Sequence, residues 1–208
     1  MPNHIKNKIN EYYTQKIIEN GSSSKGVDWN SKESHFLRFN QLAKVINQQS
    51  SFSVLDYGCG YGAFIDYLNE SGYAEYKYFG FDISEEMINA ARMNYEVSRE
   101  NFSTSLLDFK ESRFDYVIAN GIFNVKLDTL DEDWKEYILE AITELNKLSD
   151  KGFSFNVLTS FSDKEYMKDY LHYANPMELF EYCKRNFSKQ VALLHDYPLY
   201  EFSIIVRK

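Results

Sequence analysis

Residues 54–63 read Val54-Leu55-Asp56-Tyr57-Gly58-Cys59-Gly60-Tyr61-Gly62-Ala63, an apolar run closed by an acid and followed by glycines on alternate positions. A buried strand that passes through such a turn into a helix brings bare backbone close to a ligand, because glycine has no Cβ and accepts positive φ. The stretch therefore commits the chain to a strand, turn and helix built around a binding site. Asp56 narrows what can bind there. A carboxylate beside the turn repels a pyrophosphate and favours a group that carries positive charge.

Strand-like and helix-like patterns alternate from this point onward. Residues 52–56 predict a strand, 63–71 a helix, 77–82 a strand, and 84–97 a helix capped by Ser84 with Glu85 and Glu86 in its first turn. Residues 102–107 and 114–120 read as further strands, 132–148 as a long amphipathic helix, and 152–158 as another strand. Such alternation implies an α/β fold, a doubly wound and mostly parallel sheet with helices on both faces. The last third differs. A helix over 176–186 starts at Pro176, and strands over 190–195 and 199–206 form an antiparallel hairpin that closes one edge of the sheet. Upstream, apolar spacing predicts a helix over 5–20, a loop over 21–26, and a second helix capped by Ser31. Residues 1–50 thus form a helical cap, and 51–208 a single globular unit with seven strands. Residues 159–175, polar and aromatic with little periodicity, suit a lid or a substrate-facing insertion.

Composition limits the partners. The formal charge of −8 opposes a nucleic-acid binder, which needs a basic face to displace counterions from phosphates. No apolar run is long enough for a membrane span or a signal peptide, so a cytoplasmic protein acting on a small molecule is expected. Cys59 and Cys183 have neither disulfide nor zinc spacing and read as free thiols. The 17 Tyr and 16 Phe suggest aromatic walls to a core or pocket without choosing between them. Nothing in the pattern sets an oligomeric state.

In open parallel sheets ligands bind beyond the carboxyl ends of the strands. Asp56, Gly58, Gly60 and Gly62 follow the first predicted strand. Asp82 ends the second, at the distance from the glycines expected of an acid that accepts from ribose hydroxyls. Leu107 and Asp108 end the third, where a carboxylate suits an adenine amine, and Asn120 with Gly121 ends the fourth.

Together these blocks resemble the class I S-adenosylmethionine-dependent methyltransferases. The likeness rests on residues 54–62, on Gly80-Phe81-Asp82-Ile83-Ser84 with Met87, on Leu107-Asp108, and on 114–121, and it covers the chain from about Ser51 to Lys208. It implies S-adenosyl-L-methionine as methyl donor and S-adenosyl-L-homocysteine as product. The donor's seat would be made by Asp56, Gly58, Cys59, Gly60, Gly62, Asp82, Ile83, Met87, Leu107, Asp108 and Asn120. The segments Lys25-Gly26-Val27-Asp28-Trp29-Asn30 and Leu37-Arg38-Phe39 are similar to a subset of small bacterial members in which the N-terminal segment folds over the cofactor. By that likeness Arg38 pairs with the methionine carboxylate and Trp29 covers the pocket; a solvated helix charge and a core tryptophan are the plain alternatives.

The acceptor side is less marked. An Asn-Pro-Pro-Tyr-like tetrapeptide is replaced by Asn120-Gly121-Ile122-Phe123, which counts against methylation of a base, and Asn120 stands where a metal-assisted site wants Asp. No metal is expected. His172 in the 159–175 segment, His195 beside Asp196, and His35 early in the second helix are the candidate bases. Resemblance to bacterial enzymes that tailor surface polysaccharides, carried by 152–156 and 195–197, points to O-methylation of a sugar or a sugar-linked phosphate of the phosphoramidate type. A nicotinamide-dependent oxidoreductase, which Asp56 argues against, and a non-catalytic S-adenosylmethionine-binding protein are the rival readings.

Overall fold

The computed structural model describes residues 3–47, 51–109 and 113–208. Helix α1 (Asn3–Asn20) buries Ile5, Ile9 and Ile17 along one stripe and is followed by a tight turn over Ser24–Val27. Asp28 ends that turn in the left-handed region at φ 63°, and both its carboxylate oxygens are bound to α1: Tyr12 Oη donates at 2.8 Å and Lys16 Nζ at 2.7 Å. Helix α2 (Lys32–Leu42) begins as expected at Ser31, whose hydroxyl accepts from the Ser34 N–H.

Among the described residues the sheet has seven strands. Strands β1 (Phe52–Tyr57), β2 (Tyr76–Phe81), β3 (Phe102–Ser103), β4 (Phe114–Ala119) and β5 (Ser149–Leu158) run parallel, while β7 (Glu201–Arg207) lies antiparallel between β5 and β6 (Gln190–Leu194). The order β3-β2-β1-β4-β5-β7-β6 reverses direction at β1. Chain segments therefore leave β1 and β4 toward opposite sides, which opens a crevice at their carboxyl ends.

Two apolar layers cover the faces of this sheet. Leu55 and Tyr57 of β1 point into the layer shared by α1, α5 (Asp131–Leu148) and α6 (Pro176–Asn186), where Trp134, Ile138, Ile142 and Leu179 are buried. Val54 points the other way, toward Phe39 and Leu42 of α2, Phe64 and Leu68 of α3 (Ala63–Glu70), and Ile88 of α4 (Glu85–Asn94). This is the period-two alternation of a strand buried on both sides. Each fully buried Leu, Ile or Phe stabilises the fold by roughly 1.5–3 kcal/mol. Helix α1 bridges the crevice: Thr14 Oγ1 bonds Ser84 Oγ at the start of α4 at 2.8 Å, and Lys8 pairs with Asp128 in the loop after β4 at 2.7 Å.

Some boundaries depart from the sequence expectation. The third strand, expected over 102–107, ends at Ser103 because serine hydroxyls compete for its backbone: Ser103 Oγ accepts from the Ser105 N–H and Ser105 Oγ from the Leu107 N–H. A tight turn over Leu106–Asp108 replaces its second half. Helix α4 stops at Asn94, and a tight helical stretch over Glu96–Asn101 follows. Strand β5 starts earlier than expected, at Ser149, through a register shift against Phe114 and Tyr116. The 159–175 segment is tied to the loop after β4: the Lys126 and Leu127 N–H groups both donate to the Tyr170 carbonyl at 3.0 Å, and the His172 N–H donates to the Asn124 carbonyl at 2.8 Å. Among the described residues no helix is long and apolar enough to cross a membrane.

Candidate active site

The crevice between β1 and β4 holds a cavity bounded by the glycine turn, the ends of β2 and β4, and residues of α1 and the segment after it. The turn is fastened to β2, because the Gly58 and Cys59 N–H groups both donate to the Phe81 carbonyl at 2.7 and 2.9 Å. Gly60 has φ 54°, and a Cβ there would sit 2.7 Å from Val27 Cγ1. Both backbone conformation and space thus require glycine at this point.

Asp82 ends β2 with its carboxylate committed to the turn: one oxygen accepts from the Gly60 N–H at 2.9 Å and the other from the Ser84 N–H at 3.0 Å. Each oxygen retains acceptor capacity toward the cavity it lines. Burial raises the Asp82 carboxyl above its ordinary range, against the pull of those N–H donors. Asp56 is 2% exposed and accepts from Tyr78 Oη at 2.7 Å. Burial pushes its carboxyl up to about 7, with the neighbouring Asp82 charge adding to the rise and the Tyr78 bond opposing it. One buried and one partly buried acid around a single cavity are best satisfied by a ligand that brings positive charge and hydroxyl donors.

Asn120, at the end of β4, supplies the missing complement. It is 9% exposed and lines the cavity, and among the described residues neither its amide nitrogen nor its amide oxygen has a hydrogen-bond partner. A buried amide left with a free donor and a free acceptor fits a polar ligand that satisfies both. Behind it the Gly121 N–H donates to Asn156 Oδ1 at 2.7 Å, and Gly121 has φ 76° with the Trp29 ring stacked so close that a Cβ would come within 2.3 Å of it.

Asp56, Gly58, Cys59, Gly60, Asp82, Ile83, Met87, Asn120, Trp29 and His35 all line this cavity. Gly62 stands behind the turn as the N-cap of α3. Leu107 is 94% exposed, and the Asp108 carboxylate accepts from the Ser103 hydroxyl outside the cavity. Arg38 does not line the cavity. Its guanidinium is buried against Glu201, with Nε 2.8 Å from Oε2, and its charge lies over the Trp29 ring at 3.9 Å. A hydrogen-bonded carboxylate thus already holds the group expected to meet a methionine carboxylate.

The histidines separate. His35 packs between Trp29 and Phe39, and burial with the nearby Arg38 charge lowers it to about 3, so it faces the cavity as a neutral imidazole. Half-buried His172 lies beside the loop after β4, its basicity also lowered by burial. His195 packs against Phe161 and Phe202 near the hairpin turn. Neither of these two lines the cavity. Sequence reasoning missed Tyr137 as a wall of the cavity, since it follows Trp134 at helical spacing and looks like core; burial raises its hydroxyl to about 12. It also missed Asn156 and Glu201, polar residues within strands that are fully buried.

A family described as "Methyltransferase domain" matches residues 54–148, which run from β1 to the end of α5. Protein Rv1506c of Mycobacterium tuberculosis, to which methyltransferase activity is attributed, is 48% identical over 165 residues, covering 79% of this chain and 98% of its own length. Among solved structures, magnesium protoporphyrin IX methyltransferase from Synechocystis with bound S-adenosylmethionine superposes with a TM-score of 0.66 at 18% identity, covering 98% of this chain and 97% of that one. An S-adenosylmethionine-dependent methyltransferase from Archaeoglobus fulgidus gives 0.61 at 16% identity, with 86% and 95% covered.

Proposed function

The chain belongs to the class I S-adenosylmethionine-dependent methyltransferases, and on that premise we propose that it methylates an oxygen of a sugar or of a sugar-linked phosphate, of the phosphoramidate type, destined for surface polysaccharide. The observation that carries the donor half is the joint presence of Asp82, the bare glycine turn and the unpartnered Asn120 amide around one cavity. When bound, S-adenosylmethionine supplies a methyl group on a sulfonium, open to in-line displacement by the acceptor.

The residues divide the work accordingly. Asp82 accepts from ribose hydroxyls while its bonds to Gly60 and Ser84 keep it in place. The glycine turn admits the methionine chain, and the Asn120 amide binds its polar end. Asp56 offers negative charge to the amino or sulfonium group. The walls formed by Ile9, Tyr13, Trp29 and Tyr137 exclude water from the reacting atoms. Much of the acceleration then comes from holding donor and acceptor in line, and the protein needs at most one base. His172 is proposed for that role, with His195 second. His35 is too weak a base for it at neutral pH, given where burial sets it.

Support for a sugar acceptor comes from the 159–175 segment and the hairpin turn. Phe161, Tyr166 and Tyr200 expose their rings there, flat surfaces suited to the apolar face of a sugar. The overall charge of −8 disfavours a polyanionic acceptor.

The test uses S-adenosylmethionine labelled in its methyl group, offered with nucleotide-activated sugars, sugar phosphates, RNA and protein. Label is expected in the sugar fraction, and His172→Ala should slow its transfer about 100-fold while leaving cofactor affinity near normal. Label found in RNA or protein alone would contradict the acceptor, and an unchanged rate would remove His172.

A further inference from the structure

Five residues from four distant parts of the chain form a closed circuit around Gly121. The Gly121 N–H donates to Asn156 Oδ1 at 2.7 Å, and Asn156 Nδ2 donates to Glu201 Oε1 at 3.0 Å. Glu201 Oε2 accepts from Arg38 Nε at 2.8 Å. The Arg38 guanidinium lies on the Trp29 ring at 3.9 Å, and that ring covers Gly121 from the cavity side. Arg38 is held at its other end by the Ser34 carbonyl, which accepts from Nη1 at 2.8 Å. Glu201 and Asn156 are fully buried, and Arg38 is 8% exposed.

A buried ion pair contributes little net stability, because desolvation of both charges offsets their attraction. In many proteins apolar residues of similar size replace such a pair with little loss of stability. What the pair does supply is direction: a carboxylate has two oxygens, and Glu201 assigns one to each side of Gly121. Gly121 follows Asn120, whose free amide faces the donor's seat.

We propose that Glu201 is a positioning residue that fixes Gly121 from behind through Asn156 and from in front through Arg38 and Trp29, and so sets the Asn120 amide and the cover of the donor's seat as one unit. The proposal rests on the methyltransferase reading for what the seat holds, but the circuit itself can be read without ligand. Trp29 and Trp134 are the two tryptophans, and Trp134 is fully buried with its indole N–H bound to the Phe123 carbonyl. Collisional quenching by acrylamide therefore reports on Trp29.

The experiment compares wild type with Arg38→Met/Glu201→Gln, which removes both charges and leaves neither buried ion unpaired, and with Arg38→Lys, which keeps the charge and loses the planar face. In folded double variant, the acrylamide quenching constant is expected to rise about twofold and affinity for S-adenosylhomocysteine to fall about tenfold. Arg38→Lys should show the same direction in both, since an ammonium does not reproduce the stacked guanidinium. A purely structural pair would lower the melting temperature and leave quenching and affinity at wild-type values, and that result in either folded variant overturns the proposal. If the wild type itself fails to bind S-adenosylhomocysteine, the reading of the seat fails; the quenching comparison still decides the circuit.

Discussion

Asp82→Ala is expected to weaken S-adenosylhomocysteine binding about 100-fold, or about 3 kcal/mol, with the fold retained. Two effects add. Ribose hydroxyls lose a charged acceptor, a hydrogen bond of the stronger kind. The Gly60 and Ser84 N–H groups also lose the oxygens that hold them at 2.9 and 3.0 Å, so the turn that must meet the ligand's backbone is no longer fixed. Asp82→Asn separates the effects. An amide oxygen can still accept from one N–H, but its other end is a donor and cannot accept from the second, so a loss of about tenfold is expected. Titration calorimetry measures both variants. Wild-type affinity in Asp82→Ala would place the ribose elsewhere.

The second large effect is a pH dependence set by Asp56. Its carboxyl stands at about 7 in the folded protein against 3.8 in an ordinary setting. Below pH 4 it is protonated folded and unfolded alike and contributes nothing to the slope. Between about 4 and 7 the unfolded chain gives up the proton while the folded protein keeps it, so the folded state binds more protons and its stability falls as pH rises. Above 7 the loss is complete, on the order of 4 kcal/mol. Asp56→Asn does not titrate, and its oxygen can still accept from Tyr78. The variant is therefore expected to gain stability over wild type progressively from pH 4 to 7 in chemical denaturation, with a flat difference outside that window. His35 works in the opposite sense. Held near 3 by burial, it stays neutral when folded while the unfolded chain takes up a proton below about 6.5, so its contribution rises with pH. Comparing the variant with wild type at each pH cancels this term. A constant difference across the range would show that Asp56 is ionised throughout.

Much of the cavity's lining was legible in the sequence, because several of the residues that line it stand where a strand gives out. Asp56, Asp82 and Asn120 each end a run of β-branched and aromatic residues, and parallel strands bring such ends to one edge. The glycine turn needed no tertiary information, since a backbone requiring positive φ advertises itself through glycine. The third strand misled for the opposite reason. Phe102 to Leu107 has suitable composition, yet Ser103 and Ser105 offer the backbone local partners that compete with the ladder. Arg38 misled too: the likeness to small bacterial members pairs it with the methionine carboxylate, but its partner is Glu201, 163 residues away. Glu201 and Asn156 carried no signal of their own, being single polar residues within strands, where alternation predicts solvent-facing side chains. Register between β5 and β7, which places Asn156 opposite Ser203 and Glu201 opposite Leu158, is what brings the two together. The histidines show the same limit, for a base is defined by what surrounds it, and His35 looks like one until Trp29 and Phe39 close around its ring.

The central claim is that the cavity between β1 and β4 is the seat of a sulfonium-type methyl donor and not of a dinucleotide. Titration calorimetry of the wild-type protein with S-adenosylhomocysteine and, separately, with NAD tests it directly. Saturable, stoichiometric heat with S-adenosylhomocysteine and none with NAD is the expected result; saturable binding of NAD with no heat from S-adenosylhomocysteine would contradict it.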